Sequence, residues 1–581
     1  MAKPTSSSIL AYHINLQLNY IRSTLSLQNL VLALLSFGFI GLIICFGTLL
    51  STKHTQNSAL ITSKLANHRY SCLSRSQRSL LRVDVDGATE KILLPHLLSQ
   101  AWDHYTFHHT QCHHIVDEDG VSNHSSVQGC QYLLFSDAQE CGLGNRLASL
   151  ASALAYAIAT DRVLLLDNSR NLGNLLCEPL PSSSWLLPSG SPYHSKIRGA
   201  PSLAAYMASD HGAVVARIPA NVGDGADAKD ETVKVSLWDE PRNEDMAFFS
   251  EGVYERLRQV KWIIWESDLY TIPNLFLVSS FWRRMHPLFS QREDEAFALM
   301  SHLILNPADD VWAMVLKEYM GYMADASSRV GVQIRLHGRR DRAIFDEDAM
   351  STTMACLINN SYLPVPISGN QSLQHPSTAA ATNRASLYAK KILSGRKAGN
   401  QGRRQTGAAR VDVAVLVASL QSKYFLRMKA VYSEGAGAED GRVVRVHAVS
   451  GMQVQDFSYR QAQLALAEMW LLSGSERLAI SASSTFGYAA QAWGGLRPLI
   501  LSFGTGKEAA AVQCKRGYSR DPCSHLPRPA PAFNLTELAV PHQQWILRHV
   551  RTCQDRPSGA WQLVPAQVHL QTAPPVFNSS L

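Results

Sequence analysis

Three clusters of residues have the types and spacing to hold a phosphorylated ligand. The first is the turn Gly142-Leu143-Gly144-Asn145-Arg146, between a short apolar run and a helical one. Glycines in such a turn let the backbone approach a ligand, and the amides of a helix N-terminus face it. Asn145 and Arg146 add side-chain donors. A plain tight βα turn, with Asn145 as the helix N-cap, would leave the same pattern. In the second cluster, a strand ending at Ser481 runs into Ala482-Ser483-Ser484-Thr485-Phe486-Gly487-Tyr488, which starts a helix through Trp493. Hydroxyls and free amides converge there, as suits a pyrophosphate; simple helix capping is the alternative. The third is Arg335, which follows the alternating Val330, Val332 and Ile334 at the carboxyl end of a strand, where α/β folds bind ligands. A guanidinium there holds two oxygens of a diphosphate and stabilises the charge that develops as it departs. An interdomain ion pair is the competing reading.

Metal-dependent chemistry has weaker support. Asp84-Val85-Asp86 and Asp346-Glu347-Asp348 have the Asp-X-Asp form that holds a divalent ion on a nucleotide sugar, but neither follows a buried strand. His104, His108, His109, His113 and His114 surround Cys112, and spacings of four align two pairs on a helix. No well-spaced cysteine pair accompanies them, so a polar helix near the surface is expected in place of a zinc site. No metal site is expected.

The elements that must position these groups are those of an α/β fold. Gln131 to Phe135 reads as a strand, Asn145 to Thr160 as a helix and Val163 to Leu166 as a buried strand, a βαβ unit that implies a parallel sheet. Leu147, Leu150, Ala151, Leu154 and Ile158 fall on one helix face. Further strands are expected at Trp262 to Trp265, Val330 to Leu336, Val413 to Ala418, Leu478 to Ser481 and Leu499 to Leu501. Two α/β sheets facing a cleft accommodate them. Gly369 to Arg410 reads as a mobile surface insertion, with smaller ones at Ala208 to Glu231 and Glu434 to Gly441.

At 581 residues and 46% apolar content, the chain calls for two or more packed domains. Its net charge of +7 is modest and scattered, which argues against nucleic-acid binding and suits an anionic substrate such as a nucleotide sugar. Leu30 to Leu50 is uncharged and long enough to cross a bilayer core of roughly 30 Å. It reads as a transmembrane helix following a cytoplasmic tail, residues 1–29, and preceding a polar stem, residues 51–71. Flanking Lys and Arg leave the topology open. Acceptor patterns at Asn123, Asn359, Asn370, Asn534 and Asn578 all follow the span, as do nine of the ten cysteines. Both features fit an oxidising lumen and a type II arrangement; an odd cysteine count leaves at least one thiol outside any disulfide.

Together these segments resemble the plant xyloglucan fucosyltransferase family from Cys72 to about Val564. The resemblance rests on Cys72-Leu73-Ser74-Arg75, the Gly142 to Arg146 turn, Thr160 to Leu165, Leu176-Cys177-Glu178-Pro179 and Ser184-Trp185-Leu186-Leu187-Pro188. It continues through Gly331-Val332-Gln333-Ile334-Arg335, Ala465-Leu466-Ala467-Glu468, Ser484 to Tyr488 with Gly494-Gly495-Leu496, and Cys514 with Pro522-Cys523. It implies a GT-B-type α/β fold of two Rossmann-like domains: residues 72–329 on the acceptor side, and 330–564 binding GDP-fucose and carrying the 369–410 insertion. A disordered tail, 565–581, follows. It also implies a metal-independent, inverting Golgi enzyme that moves L-fucose from GDP-fucose to a galactose hydroxyl in alpha-1,2 linkage.

On that reading Arg335 and Ser483, Ser484, Thr485, Phe486, Gly487 and Tyr488 contact the donor, with Gly144, Asn145 and Arg146 contributing from the other lobe. Asp268 is the preferred general base and Glu266 the alternative, both beyond the strand ending at Trp265 in a region resembling the acceptor wall. The partners expected are GDP-fucose, a xyloglucan or arabinogalactan glycan, the Golgi membrane and, as an open expectation, a second copy. The insertion after Ser368 and Leu336-His337-Gly338-Arg339-Arg340 depart from the family pattern, which leaves the acceptor open. A catalytically silent glycan-binding or scaffolding relative is the alternative from another functional class.

Overall fold

Runs of Val, Leu and Ile bounded by polar residues form two sheets, mostly parallel and buried on both faces. The computed structural model describes residues 72–81, 94–117, 129–137, 141–187, 199–208, 232–238, 245–336, 346–367, 411–433, 437–450, 457–503, 513–524, 535–555 and 560–566. The expected membrane span, stem, 369–410 insertion, Asp84-Val85-Asp86, residues 337–340 and C-terminal tail lie outside these, as do all the glycosylation patterns except Asn359. Among the described residues no helix is long and apolar enough to cross a membrane. Asn359 is exposed, at the end of a helix.

The first sheet contains β1 (Tyr132–Ser136), β2 (Val163–Leu166), β3 (Thr232–Leu237) and β4 (Trp262–Ser267), in the order β2-β1-β4-β3 and parallel throughout. The second contains β5 (Ser328–Ile334), β6 (Val413–Ser419), β7 (Val444–His447), β8 (Arg477–Ser481), β9 (Leu499–Ser502) and β10 (Gln513–Arg516). Its order is β10-β9-β8-β5-β6-β7, and only β10 runs antiparallel. Counted from β5, this is the doubly wound order 3-2-1-4-5-6, whose direction of winding reverses between its first and fourth strands. A crevice therefore opens at the carboxyl ends of β5 and β8.

Helix α1 (His96–Asp117) packs on β2, and α2 (Leu143–Thr160) crosses from β1 to β2. The sequence predicts one apolar face for α2, but every residue from Arg146 to Ala159 is buried. Small side chains explain the difference. Ala148, Ser149, Ala151, Ser152, Ala153, Ala155 and Ala157 allow close packing on all sides, including against α3 (Thr485–Gly494) of the second sheet. The hydroxyls are satisfied locally: Trp265 Nε1 donates to Ser149 Oγ at 3.1 Å and Thr271 N to Ser152 Oγ at 2.9 Å.

After β10 the chain returns to the first sheet's layer. The rings of Trp545 and Phe276 stack at 4.9 Å, those of His542 and Trp282 at 4.5 Å, and β11 (Val550–Thr552) pairs with β12 (Trp561–Leu563) in an antiparallel hairpin. Residues Arg69–Leu581 form one compact unit. Four disulfides join Cys72 to Cys177, Cys112 to Cys130, Cys356 to Cys514 and Cys523 to Cys553, while Cys141 takes part in none.

Candidate active site

A cavity of about 770 Å³ lies where the carboxyl ends of both sheets meet. Gly142 to Arg146, Arg170 and Leu269 line it from the first sheet; Gln333 to Arg335, Ala418 to Leu420, Glu468 and Ser483 to Phe486 line it from the second. The three clusters singled out in the sequence thus converge on one space.

The Gly142 turn does more than face a ligand. α2 begins at Leu143 with Gly142 as its N-cap, so Asn145 is not the cap and sits within the first turn. Its side chain bridges the two sheets: Nδ2 donates to Asp268 Oδ2 at 3.2 Å, and Oδ1 accepts from Thr485 Oγ1 at 2.5 Å. Gly144 is required by that approach. A Cβ placed there would lie 2.7 Å from the Thr485 carbonyl carbon and 2.8 Å from the Phe486 nitrogen, leaving no room for a side chain. Arg146 is buried and makes a two-pronged pair with Asp137, its Nε donating to Oδ1 at 2.6 Å and its Nη2 to Oδ2. Nη2 also donates to the Arg170 carbonyl at 3.3 Å. Arg146 therefore braces the cavity wall, and its contribution to an anion is chiefly through field and position.

The second wall is built at the reversal point between β5 and β8. The Arg335 amide donates to Ser481 Oγ at 2.7 Å, and Ser481 N donates to Gln333 Oε1 at 3.2 Å, locking the ends of the two strands together. This fixes the root of the Arg335 side chain in the crevice. Ser483 adopts the left-handed region at φ 57°, and α3 starts at Thr485, so the first amides of the helix open on the cavity. Gly487 and Tyr488, expected at the donor, face elsewhere. A Cβ on Gly487 would meet Ile480 Cβ at 2.7 Å, and the Tyr488 hydroxyl donates to Asp555 Oδ2 at 2.5 Å.

Asp268 follows β4 next to the lining residue Leu269, and its carboxylate is held by Asn145. Glu266 accepts from Ser236 Oγ at 3.1 Å and lies 3.9 Å from Lys234 Nζ, both on β3, which commits it to the sheet.

Glu468, in the Ala465-Leu466-Ala467-Glu468 segment, has no role that the sequence alone assigns. On α4 (Tyr459–Ser473), it accepts from both Ser450 N and Ser450 Oγ through Oε1, at 3.0 and 2.8 Å. The two bonds from Ser450 engage Oε1 alone, and the side chain lines the cavity. Burial pushes the carboxyl up to about 7, only partly offset by the Ser450 hydrogen bonds. No spacing rule marks a lone carboxylate on a helix as a ligand.

Two of the residues raised as possible metal ligands have structural partners. Asp346 is a helix N-cap that accepts from Asp348 N and Ala349 N. His109, expected on a polar surface, is buried instead: Ser183 Oγ lies 3.0 Å from its Nδ1 and the Leu164 carbonyl 3.1 Å from its Nε2, while burial holds its pKa down at about 3. Among the described residues the potential ligands Cys523, Cys553 and Asp555 do converge, but the two cysteines are joined in a disulfide.

Comparison with known proteins agrees with this geometry. The chain is 29% identical over 500 residues to a galactoside 2-alpha-L-fucosyltransferase of Pisum sativum, covering 84% of this chain and 78% of that one. It is 30% identical over 502 residues to fucosyltransferase 2 of Arabidopsis thaliana, covering 84% and 83%. Among solved structures, a mutant of Arabidopsis thaliana FUT1 in complex with GDP superposes with a TM-score of 0.63 at 27% identity, over 85% of this chain and 97% of that chain. The family profile described as xyloglucan fucosyltransferase matches residues 53–533. The chain belongs to the xyloglucan fucosyltransferase family and is a fucosyltransferase.

Proposed function

We propose that the protein transfers L-fucose from GDP-fucose to a galactose hydroxyl of a cell-wall glycan, in alpha-1,2 linkage, with inversion and without a metal ion. The observation that carries this reading is the convergence of Arg335 and the first amides of α3 at one reversal point, with the buried Glu468 on the same cavity. The first two suit a diphosphate. The third suits guanine, whose ring N–H and exocyclic amine both donate and need an acceptor. The names of the relatives, and GDP in the FUT1 complex, support the same donor and a galactoside acceptor.

In the transfer, Asp268 takes the proton of the acceptor hydroxyl, the oxygen attacks the anomeric carbon, and the bond from that carbon to the β-phosphate oxygen breaks with its electron pair going to GDP. Asn145 orients Asp268. Arg335 and the helix amides receive the departing charge. The four disulfides support a luminal catalytic domain, as expected of a type II Golgi membrane enzyme.

Glu468 supplies the test. GDP should bind at least about tenfold more tightly than UDP or ADP, and Glu468→Gln should erase most of that preference. In the free protein the carboxyl is protonated below about 7, and only the carboxylate accepts both guanine donors. Affinity for GDP should therefore rise as pH increases from 6 to 8, by more in the parent than in Glu468→Gln. That difference removes the titration of the phosphate, which both share. Equal affinity for the three nucleotides in the parent would overturn the guanine assignment.

A further inference from the structure

Ser483, at the centre of the donor turn, has a backbone conformation that L-residues seldom adopt, at φ 57°. Something must hold it. The partner is Asp555, 72 residues further along the chain. Its Oδ2 accepts the Ser483 amide at 2.9 Å and the Tyr488 hydroxyl at 2.5 Å, and its backbone carbonyl accepts Ser483 Oγ at 3.4 Å. One carboxylate thus pins Ser483, two residues before the start of α3, and Tyr488 on its first turn, fixing the direction in which the intervening amides point. The strut is itself anchored. Cys553 is bonded to Cys523, and Gln554 receives Tyr518 N on Oε1 at 2.6 Å and donates to the Arg516 carbonyl at 3.0 Å.

We propose that Asp555 is a positioning residue for the donor: its carboxylate holds Ser483 left-handed and so aims the amides of the Ser484 to Phe486 turn at the diphosphate. This rests on the donor-site reading above. Neither Asp555 nor Tyr488 lines the cavity. Without the strut Ser483 relaxes to an ordinary backbone conformation, and the amides turn away before GDP-fucose arrives.

The test is GDP titration and steady-state kinetics on the full-length protein. Asp555→Ala should raise the Kd for GDP and the KM for GDP-fucose about tenfold, as for loss of a charged hydrogen-bonding partner, while kcat and the acceptor KM change less than about threefold. Adding Ser483→Gly should recover most of the lost affinity, because glycine takes the left-handed conformation without a steric cost. Recovery by glycine is a response that a merely structural role for Asp555 would not produce. Should Asp555→Ala not accumulate as folded protein, Tyr488→Phe carries the test, with a rise of about threefold in Kd for GDP. Unchanged affinity in the folded variant, or a loss that Ser483→Gly does not restore, overturns the proposal. Arg335→Ala, titrated in parallel, separates the two readings. If that variant loses GDP while Asp555→Ala keeps it, only the positioning role fails; if Arg335→Ala keeps it, the donor site itself is misplaced.

Discussion

Arg335→Ala is expected to reduce kcat/KM by about a thousandfold or more, corresponding to roughly 4 kcal/mol of lost transition-state stabilisation. On the proposed metal-free mechanism the diphosphate gains charge as the sugar departs, and Arg335 places a guanidinium at the crevice between β5 and β8. The amide of Arg335, not its side chain, makes the structural hydrogen bond to Ser481, so truncation should leave the strand ends joined. Folding stability should change by less than about 1 kcal/mol, as for replacements outside the core. Arg335→Lys should restore charge but not the two-pronged geometry, and so recover only part of the rate. Thermal melting beside initial-rate kinetics checks both halves; undiminished transfer by the alanine variant would remove Arg335 from the site.

Asp268→Asn should show a different signature. Loss of a general base slows transfer by about a hundredfold to ten-thousandfold, while the donor is bound by other residues. The affinity for GDP should stay within about twofold of the parent, because the new amide oxygen can still accept from Asn145 and the change lies on the acceptor side. A fall in kcat with unchanged GDP binding is the expected pair of results. If transfer is unaffected, Asp268 serves only to hold Asn145, and the base lies elsewhere. Glu266 is poorly placed to take over, because Ser236 and Lys234 hold it against β3.

Much of this site was legible in the sequence because it depends on local pattern. Buried strands of Val, Leu and Ile, each followed by a turn rich in small or hydroxylated residues, mark the carboxyl edge of a parallel sheet, and Arg335 and Ser483 were located that way. What local pattern cannot carry is the pairing order. The 3-2-1-4-5-6 arrangement, which brings the ends of β5 and β8 together, depends on contacts between segments 146 residues apart, such as Arg335 with Ser481. Gly144 illustrates the same limit. Its sequence context suggests a ligand-facing glycine, whereas the close approach of Thr485 and Phe486 requires it.

The roles that the sequence does not show depend on partners elsewhere in the chain. Asn145 reads as a helix cap until Asp268 and Thr485 are placed on either side of it. Glu468 lies in an ordinary helical stretch, and only its burial on the cavity wall distinguishes it. β3, β7 and β10 were also missed. They are short, and the flanks of β3 and β7 are polar stretches that read as insertions. The return of the last segment to the first sheet's layer is fixed by stacked rings, Trp545 on Phe276 and His542 on Trp282, which no periodicity announces.

On the proposed mechanism the two walls of this cavity act together on GDP-fucose and a galactose hydroxyl, with protein donors in place of a metal. The most direct test is to incubate the full-length protein with GDP-fucose and galactose-ended xyloglucan or arabinogalactan fragments in excess EDTA, and to measure GDP release and the linkage in the product. One GDP for each fucose transferred, an alpha-1,2 linkage to galactose, and a rate changed less than about twofold by the chelator are expected. No product on any galactose-ended acceptor, or activity that returns only when a divalent ion is restored, would contradict it.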